Sequence, residues 1–278
     1  MYETYFGLRE KPFSILPDPK FLYFSNAHRM AFSMLEYGIV NQAGFTVITG
    51  TIGSGKTTLI RQLLGNVTGE IKVGLISHTS KFGGNLLEWI LMAFDQPFEE
   101  GTYPRLYKRL RDFLEHEGER RGRAVLVIDE AQNLEAERLE ELRMLSNINT
   151  DTMLLQLILV GQPELRSILQ APELTQFAQR VSSDFHLPAL DRVEAKAYIE
   201  HRLQVAGGDP ELFTSTAKRL IHDASDGVPR QINILADRCL VYAFAESTSV
   251  VTAKIVTKVL ADKRRHGVFR MDEAGILA

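Results

Sequence analysis

One eight-residue motif constrains the fold of this chain more than any other feature. Residues 50–57 read Gly-Thr-Ile-Gly-Ser-Gly-Lys-Thr and match the pattern G-x-x-x-x-G-K-[ST]. The apolar run Phe45–Thr49 precedes the motif and a helical pattern at Thr58–Leu64 follows it. A strand that turns through glycines into a helix directs its backbone N–H groups toward phosphate oxygens at the positive helix end. The alternative interpretation, an ordinary glycine-rich turn, does not explain this strand–helix context.

These residues, called here the phosphate loop (residues 50–57), form the predicted nucleotide site together with Thr58. We expect the Lys56 ammonium group to reach the β- and γ-phosphates of ATP, and the Thr57 hydroxyl group to bind Mg²⁺. The other residues expected to contact the nucleotide are Gly50, Thr51, Ile52, Gly53, Ser54, Gly55 and Thr58.

Short apolar runs alternate with helical patterns over the first 190 residues. The runs are Phe45–Thr49, Lys72–Ser77, Ala124–Ile128, Leu154–Val160 and Phe185–Leu187. Apolar strands separated by helices favour parallel βαβ units that are covered on both faces. After Leu190 only helical patterns follow, beginning with the capping residue Asp191. We therefore predict an α/β domain with a parallel sheet at 1–190, an all-helical domain at 191–266 and a flexible tail at 267–278.

The first 24 residues, called here the N-terminal segment, are rich in aromatic residues and prolines. Pro12, Pro17 and Pro19 exclude a continuous helix, so we expect an extended chain. Its aromatic side chains either dock a partner or pack on the α/β domain, and the second is favoured because aromatic residues are mostly buried.

Two acidic residues follow the apolar run Ala124–Ile128. Asp129 and Glu130 would lie at the carboxyl end of a parallel strand, where ligands bind in such sheets. In that position Asp129 is expected to hold Mg²⁺, and Glu130 to orient the attacking water or take a proton from it. Acidic pairs are also common on protein surfaces, but this strand context favours the catalytic interpretation.

Three further polar residues occupy positions that suit phosphoryl chemistry. Gln162 follows the run Leu154–Gly161 and could sense the γ-phosphate or position water, or simply end the strand before Pro163. Arg180 precedes the last predicted strand, and Arg230 begins a helix of the second domain. A guanidinium group can stabilise the charge that develops on a transferring phosphoryl group, although isolated arginines are usually surface charges.

Together these elements resemble the AAA+ ATPases, with a helical lid that carries a G-x-P-R turn. The similarity is closer still to ATPases of the general secretion pathway A type and to their exosortase-associated relatives from exopolysaccharide clusters. It rests on Tyr5-Phe6-Gly7-Leu8, Lys11-Pro12-Phe13, Pro17-Asp18-Pro19, Phe21-Leu22-Tyr23, Asp129-Glu130-Ala131-Gln132-Asn133-Leu134, Leu142-Arg143-Met144-Leu145-Ser146-Asn147, Leu159-Val160-Gly161-Gln162-Pro163-Glu164-Leu165, Tyr198-Ile199-Glu200-His201-Arg202-Leu203 and Gly227-Val228-Pro229-Arg230.

The resemblance implies a role for each of the three polar residues. Gln162 would be the sensor-1 residue, where the wider class more often has Asn, Thr or Ser. Arg180 would be a finger donated to a neighbouring subunit, so a homo-oligomer is expected, and Arg230 would be the sensor-2 arginine of the lid. The implied function is ATP hydrolysis that drives assembly or regulation of a bacterial envelope secretion or exopolysaccharide export system. The implied partner is an inner-membrane or secretion-system protein.

Composition narrows the cellular setting. Lys and Arg total 32 against 35 Asp and Glu, which gives a net charge of −3. This excludes a protein surface that is basic overall and binds nucleic acid over its whole extent, although a local basic patch is compatible with it. The single cysteine, Cys239, lies in an apolar run and is expected to be a buried thiol in a reducing compartment. No run of about 18 apolar residues and no secretory signal are found, which predicts a soluble cytoplasmic protein. Any tie to a membrane would then come through a partner.

Two other functions remain open at this point. The first is a DNA-binding AAA+ regulator, such as a transposition targeting ATPase. Basic residues between Arg105 and Arg123 could contact DNA or acidic lipid, but a solvated helix face is favoured because acidic residues interrupt them. The second is a small-molecule kinase that shares only the phosphate loop. The pairing of Glu130 with Asp129 and the four-helix lid favour hydrolysis over transfer to a bound substrate.

Overall fold

The computed structural model describes residues 1–66, 71–77, 84–98, 101–120, 122–149 and 153–266. The predicted tail at 267–278 lies outside these residues. Within them, the chain forms two compact units. The sheet unit contains Arg29–Gly50 and the described residues of Leu59–Leu187, and the helical unit contains Met1–His28, Thr51–Thr58 and residues 188–266.

In the described part of the sheet unit, five parallel strands form a sheet in the order β2-β3-β4-β1-β5. The strands are β1 (Phe45–Gly50), β2 (Ile71–Ile76), β3 (Arg123–Ile128), β4 (Leu155–Gly161) and β5 (Val181–Leu187). The predicted α/β fold with a parallel sheet is confirmed, and the first four strands begin and end within one residue of their predicted bounds. β5 begins four residues earlier than expected, directly after Arg180.

Helices connect the strands. They are α1 (Asn26–Val40), α2 (Lys56–Asn66), α3 (Leu86–Ala93), α4 (Tyr103–Glu119), α5 (Ala136–Leu145), α6 (Glu164–Leu169) and α7 (Thr175–Ala178). The short helices α6 and α7 are additions to the sequence-based prediction. Among the described residues, no helix is long and apolar enough to cross a membrane.

The core of the sheet unit explains why its central strands read as continuous apolar runs. Every residue from Ala124 to Ile128 and from Leu157 to Val160 is completely buried, because β3 and β4 are covered on both faces. Each buried Val, Leu or Ile contributes about 1.5–3 kcal/mol relative to exposure. This rigid layer fixes where each strand ends, and the ends of β1, β3 and β4 lie at one edge of the sheet because the strands are parallel.

Between residues 188 and 266 the helical unit has four α-helices, as expected for the lid: α8 (Arg192–Val205), α9 (Ser215–Ser225), α10 (Pro229–Ala245) and α11 (Ala253–His266). Asp191 caps α8 through the N–H group of Glu194, and the Glu194 carboxylate accepts from the Asp191 N–H group in return. Cys239 is fully buried in the core of these helices, as predicted.

The N-terminal segment packs into the core of the helical unit, so the expectation that it packs on the α/β domain is wrong. Phe13 and Phe21 are buried there, and the ring of Phe13 meets that of Phe213 edge-on at 5.7 Å between centroids. The guanidinium group of Arg202 on α8 is buried and donates hydrogen bonds to the carbonyl oxygens of Pro12 and Ser14. A charge-assisted donor that satisfies two backbone acceptors fixes an extended segment without help from regular secondary structure.

Candidate functional site

The phosphate loop has the backbone conformation that its glycines allow. Gly50 ends β1, and Lys56 begins α2. Gly53 and Gly55 have φ angles of +82° and +102°, a region that residues with a side chain rarely adopt. The N–H group of Ser54 donates to the Thr51 carbonyl oxygen at 3.1 Å and closes the turn. The loop therefore curls immediately before a helix N-terminus, the arrangement that binds phosphate groups.

Lys56 and Ser54 are both buried in this loop. The Lys56 ammonium group donates to the Thr51 carbonyl oxygen at 2.9 Å, so the lysine folds over its own loop. The Ser54 hydroxyl oxygen is fully buried, and no hydrogen-bond partner for it exists among the described residues. A buried hydroxyl group without a partner is costly and fits a loop that is completed by a polar ligand. These residues thus suit the phosphate groups of ATP.

The flanking residues of the motif differ in exposure. Thr51 and Ile52 are exposed at the tip of the loop, whereas Thr57 and Thr58 are partly buried in the first turn of α2. A hydroxyl group in that first turn is the type of ligand that Mg²⁺ accepts from a phosphate loop.

Arg230 lies against the phosphate loop inside the helical unit. Its backbone N–H group donates to the Gly53 carbonyl oxygen at 3.2 Å, and a Cβ atom on Gly53 would lie 2.4 Å from the Cβ atom of Arg230. The preceding turn also depends on glycine, because Gly227 has a φ angle of +68° and a Cβ atom there would lie 2.0 Å from the Leu190 carbonyl oxygen. The G-V-P-R sequence thus sets α10 against the loop.

Asp129 and Glu130 follow β3 directly. Asp129 is nearly buried, and its N–H group continues the ladder to β2 by donating to the Ile76 carbonyl oxygen at 2.8 Å. Glu130 has a left-handed backbone with a φ angle of +55°, and its N–H group donates to the Asp129 carboxylate at 2.9 Å. Non-glycine residues in this conformation are uncommon and cluster at functional sites. The left-handed conformation of Glu130 breaks the extended chain just after β3 ends at Ile128.

Two glutamine side chains hold the Glu130 carboxylate. The side-chain amides of Gln132 and Gln162 donate to the same oxygen, Oε2, at 2.6 and 3.2 Å. The backbone N–H group of Gln162 donates to Oε1 of Gln132 at 2.9 Å. Since a backbone N–H can only donate, this contact fixes the orientation of the Gln132 amide and directs its nitrogen to Glu130.

The structure therefore brings the predicted residues Glu130 and Gln162 together and adds Gln132, to which sequence analysis assigned no role. A Cβ atom at Gly161 would lie 3.0 Å from Oε1 of Gln132, so a glycine at the end of β4 leaves room for that side chain. The available signal was the position of Gln132 two residues after Glu130 in the D-E-A-Q-N-L motif.

Arg180, the expected finger, is engaged within its own chain. Its guanidinium group donates to the Arg143 carbonyl oxygen at 3.2 Å, the Ser146 hydroxyl group at 2.5 Å and the Asn147 side-chain oxygen at 2.7 Å. These groups lie at the end of α5 and in the turn Ser146–Ile148. A cation at a helix C-terminus is stabilising, so Arg180 has a structural role in the single chain.

Comparisons with known proteins give one family and one fold. A family model described as an AAA domain matches residues 40–169. General secretion pathway protein A of Aeromonas hydrophila is 41% identical over 250 residues, which cover 89% of this chain and 46% of that protein. The chain thus spans about half the length of the curated relative that it matches.

Three solved structures share the fold at low sequence identity. The ORC2 protein of Aeropyrum pernix has a TM-score of 0.62 at 20% identity, with 85% of this chain and 67% of that one covered. Cdc6p of Pyrobaculum aerophilum has a TM-score of 0.66 at 16% identity, with coverages of 89% and 71%. The RuvB Holliday junction branch migration motor of Thermotoga maritima has a TM-score of 0.54 at 17% identity, with coverages of 95% and 76%. With the fold, the domain match and the secretion relative in agreement, this chain belongs to the AAA+ ATPases, and within them to the general secretion pathway protein A type.

Proposed function

We propose that this chain binds Mg-ATP and hydrolyses it, and that nucleotide state controls its affinity for an envelope export partner. The observation that carries hydrolysis is the Glu130 carboxylate, which the amides of Gln132 and Gln162 hold at the carboxyl edge of the sheet. A positioned carboxylate that is not the metal ligand is the group that water activation requires.

The chain supplies the groups that ATP binding needs. Lys56 and the N–H groups of the phosphate loop would hold the phosphates, while the Thr57 hydroxyl group and the Asp129 carboxylate would hold Mg²⁺. Mg²⁺, when bound, neutralises charge on the phosphate oxygens. Glu130 would accept the proton of the attacking water, and Gln162 would orient Glu130 and that water.

Arg230 offers a way to couple nucleotide binding to the lid. Its backbone is bonded to Gly53 of the phosphate loop, so a change in the loop reaches α10 directly. If the partner binds one position of the lid more tightly than another, the bound nucleotide then controls the affinity for that partner. In an oligomer Arg180 would leave its intrachain partners and complete the site of a neighbouring subunit.

The proposed biological role follows the relative from Aeromonas hydrophila, whose name assigns it to the general secretion pathway. We place the chain at the cytoplasmic face of the inner membrane, bound through a secretion or exopolysaccharide export protein. The charges of α4 give little support to a DNA-binding role, because Lys108 pairs with Asp112 and Arg111 with Glu115 along the same helix.

The first experiment measures ATP binding by calorimetry and phosphate release for the wild type and three variants. Lys56→Ala should abolish binding. Glu130→Gln should bind ATP but hydrolyse it at least about a hundredfold more slowly than the wild type. Glu135→Gln, an exposed carboxylate five residues further on, is the matched control and should behave as wild type. Retained binding in Lys56→Ala, or normal turnover in Glu130→Gln, would overturn these assignments.

The second experiment measures turnover per subunit across a wide range of protein concentration, with and without duplex DNA. Turnover that rises with concentration supports a shared site. A flat profile would mean that each subunit is self-sufficient. A sharp stimulation by DNA that weakens with salt would favour the transposition-type regulator instead.

A further inference from the structure

A buried histidine on α1 contacts the phosphate loop. His28 is 3% exposed, and its Nε2 atom lies 3.1 Å from the Ser54 carbonyl oxygen. We infer that His28 is a positioning residue that holds the phosphate loop in its phosphate-binding conformation before ATP arrives. This inference rests on the proposed function for its consequence, but the contact exists in the chain alone.

The hydrogen bonds around the imidazole fix its tautomer. The Ser54 carbonyl oxygen can only accept, so the proton is on Nε2. Nδ1 then accepts from the Ser25 hydroxyl group at 2.8 Å, and the Ser25 oxygen accepts from the His28 backbone N–H group at 3.2 Å. Burial lowers the pKa of His28, which favours the neutral ring that this arrangement uses.

The loop is also shaped to fit the ring. A Cβ atom on Gly55 would lie 2.9 Å from Nε2 of His28, and Gly55 has a φ angle of +102°. Glycine at this position thus serves both the backbone bend and the close approach of the imidazole. A side chain at position 55 would therefore force the ring to shift from its present place beside Ser54.

The histidine is itself anchored to the lid. The N–H group of Asn26, at the start of α1, donates to the Glu194 carboxylate at 3.1 Å. Glu194 also belongs to the cap of α8. The contacts of Glu194 and His28 therefore tie α8 to the phosphate loop through three residues of α1. Arg230 holds the adjacent Gly53.

The role has a distinct kinetic signature. The phosphate groups of bound ATP would order the loop themselves. Loss of His28 should therefore lower the affinity for ATP and leave the turnover rate at saturating ATP unchanged. We expect KM for ATP to rise about tenfold in His28→Leu, which loses one hydrogen bond to a buried carbonyl group, with kcat close to that of the wild type.

Hydrogen exchange in the absence of nucleotide tests the inference directly. In His28→Leu the amides of the phosphate loop, Ser54 above all, should exchange at least about fivefold faster than in the wild type. His28→Gln keeps an N–H donor and should restore most of the protection. Ser25→Ala leaves the ring in place but frees its tautomer, so it should give an intermediate rate.

A matched control comes from the same unit. His201 is a partly buried histidine on α8 whose Nε2 atom has no partner among the described residues, and His201→Leu should leave exchange in the loop unchanged. Wild-type exchange in His28→Leu would overturn the inference, as would equal acceleration in His201→Leu. If the wild type itself fails to bind ATP, the proposed function falls, while the exchange result still decides the role of His28.

Discussion

The side-chain amide of Gln162 donates a hydrogen bond to the Glu130 carboxylate at 3.2 Å, which joins residues 32 positions apart at the ends of two neighbouring strands. Gln132 donates to the same oxygen and accepts from the backbone of Gln162. The three residues form a closed network in which each member orients the other two, so its members should act together in catalysis.

Gln132→Leu should lower ATP turnover by about tenfold to a hundredfold without weakening ATP binding. The substitution removes a donor from Glu130 and leaves the N–H group of Gln162 without its acceptor, so the carboxylate loses its fixed position. Phosphate release and calorimetry measure the two quantities. Gln176→Leu, the same substitution at an exposed position of α7, is the control. A variant with wild-type turnover would show that Gln132 has no part in positioning Glu130.

Gln162→Leu should also lower turnover, and the double variant with Gln132→Leu should be only slightly slower than either single variant. Both side chains act on one oxygen of Glu130, so the second loss removes little that the first has left. A double-mutant cycle on kcat measures this coupling. Additive losses would mean that the two amides act separately, for example with Gln162 on the nucleotide and Gln132 on Glu130.

Arg180→Ala should lower the stability of the chain and also remove any dependence of turnover on protein concentration. Asn147→Ala should affect stability alone, so it distinguishes the two effects. Loss of the guanidinium group removes three hydrogen bonds at the end of α5, which should cost about 1–3 kcal/mol in free energy of unfolding. The same variant should lose any rise of turnover with protein concentration. Asn147→Ala should weaken stability by a smaller amount and keep the rise. If both variants lose it, Arg180 acts through the structure of α5 rather than in a neighbouring subunit.

Arg202→Met should lower the free energy of unfolding by about 2–4 kcal/mol. The buried guanidinium group satisfies the carbonyl oxygens of Pro12 and Ser14 and lies over the ring of Phe21 at 4.7 Å from its centroid. Urea denaturation measures the loss. Arg192→Met removes an exposed ion pair with Asp223 and should change stability by less than about 1 kcal/mol. If both substitutions lower the free energy of unfolding by the same amount, Arg202 does not anchor the N-terminal segment.

Cys239 should resist alkylation by iodoacetamide between pH 7 and 9 in the folded protein. Burial raises the pKa of its thiol to about 12, and the reactive thiolate is therefore scarce over this whole range. Mass spectrometry should find the thiol unmodified until urea unfolds the helical unit. Rapid modification of the native protein at pH 8 would contradict the burial of this side chain.

The sequence predicted those parts of the fold that depend on local pattern. Strands β3 and β4 are buried on both faces, so they appear as apolar runs with clear ends, interrupted in β4 only by the buried Gln156. β5 is an edge strand in which Ser182 and Asp184 are exposed, and its first half lacks an apolar signal. The position of the N-terminal segment could not be read either, because the bond from Arg202 to Pro12 joins residues 190 positions apart.

The candidate site shows the same division. The phosphate loop and the Asp129-Glu130 pair follow strands directly, so strand prediction located them. The role of Gln132 was not predicted, because it depends on the left-handed conformation of Glu130. This conformation redirects the chain and brings the Gln132 amide back to the Glu130 carboxylate. No periodicity in the sequence signals such a bend. The contact of His28 with the phosphate loop could not be predicted for a different reason. Its partner is a backbone carbonyl group, which any residue type could have supplied.

The bond from Arg230 to Gly53 also sets an order of events during synthesis of the protein. The ribosome releases β1 and the phosphate loop long before it releases α10, so the loop emerges without the helix that later holds it. Contacts between distant parts of a chain form late and slow folding. A nascent chain that has completed its sheet therefore carries the motif but not the fully supported loop. Competence to bind nucleotide tightly would therefore be acquired only after α10 has left the ribosome and packed against the loop.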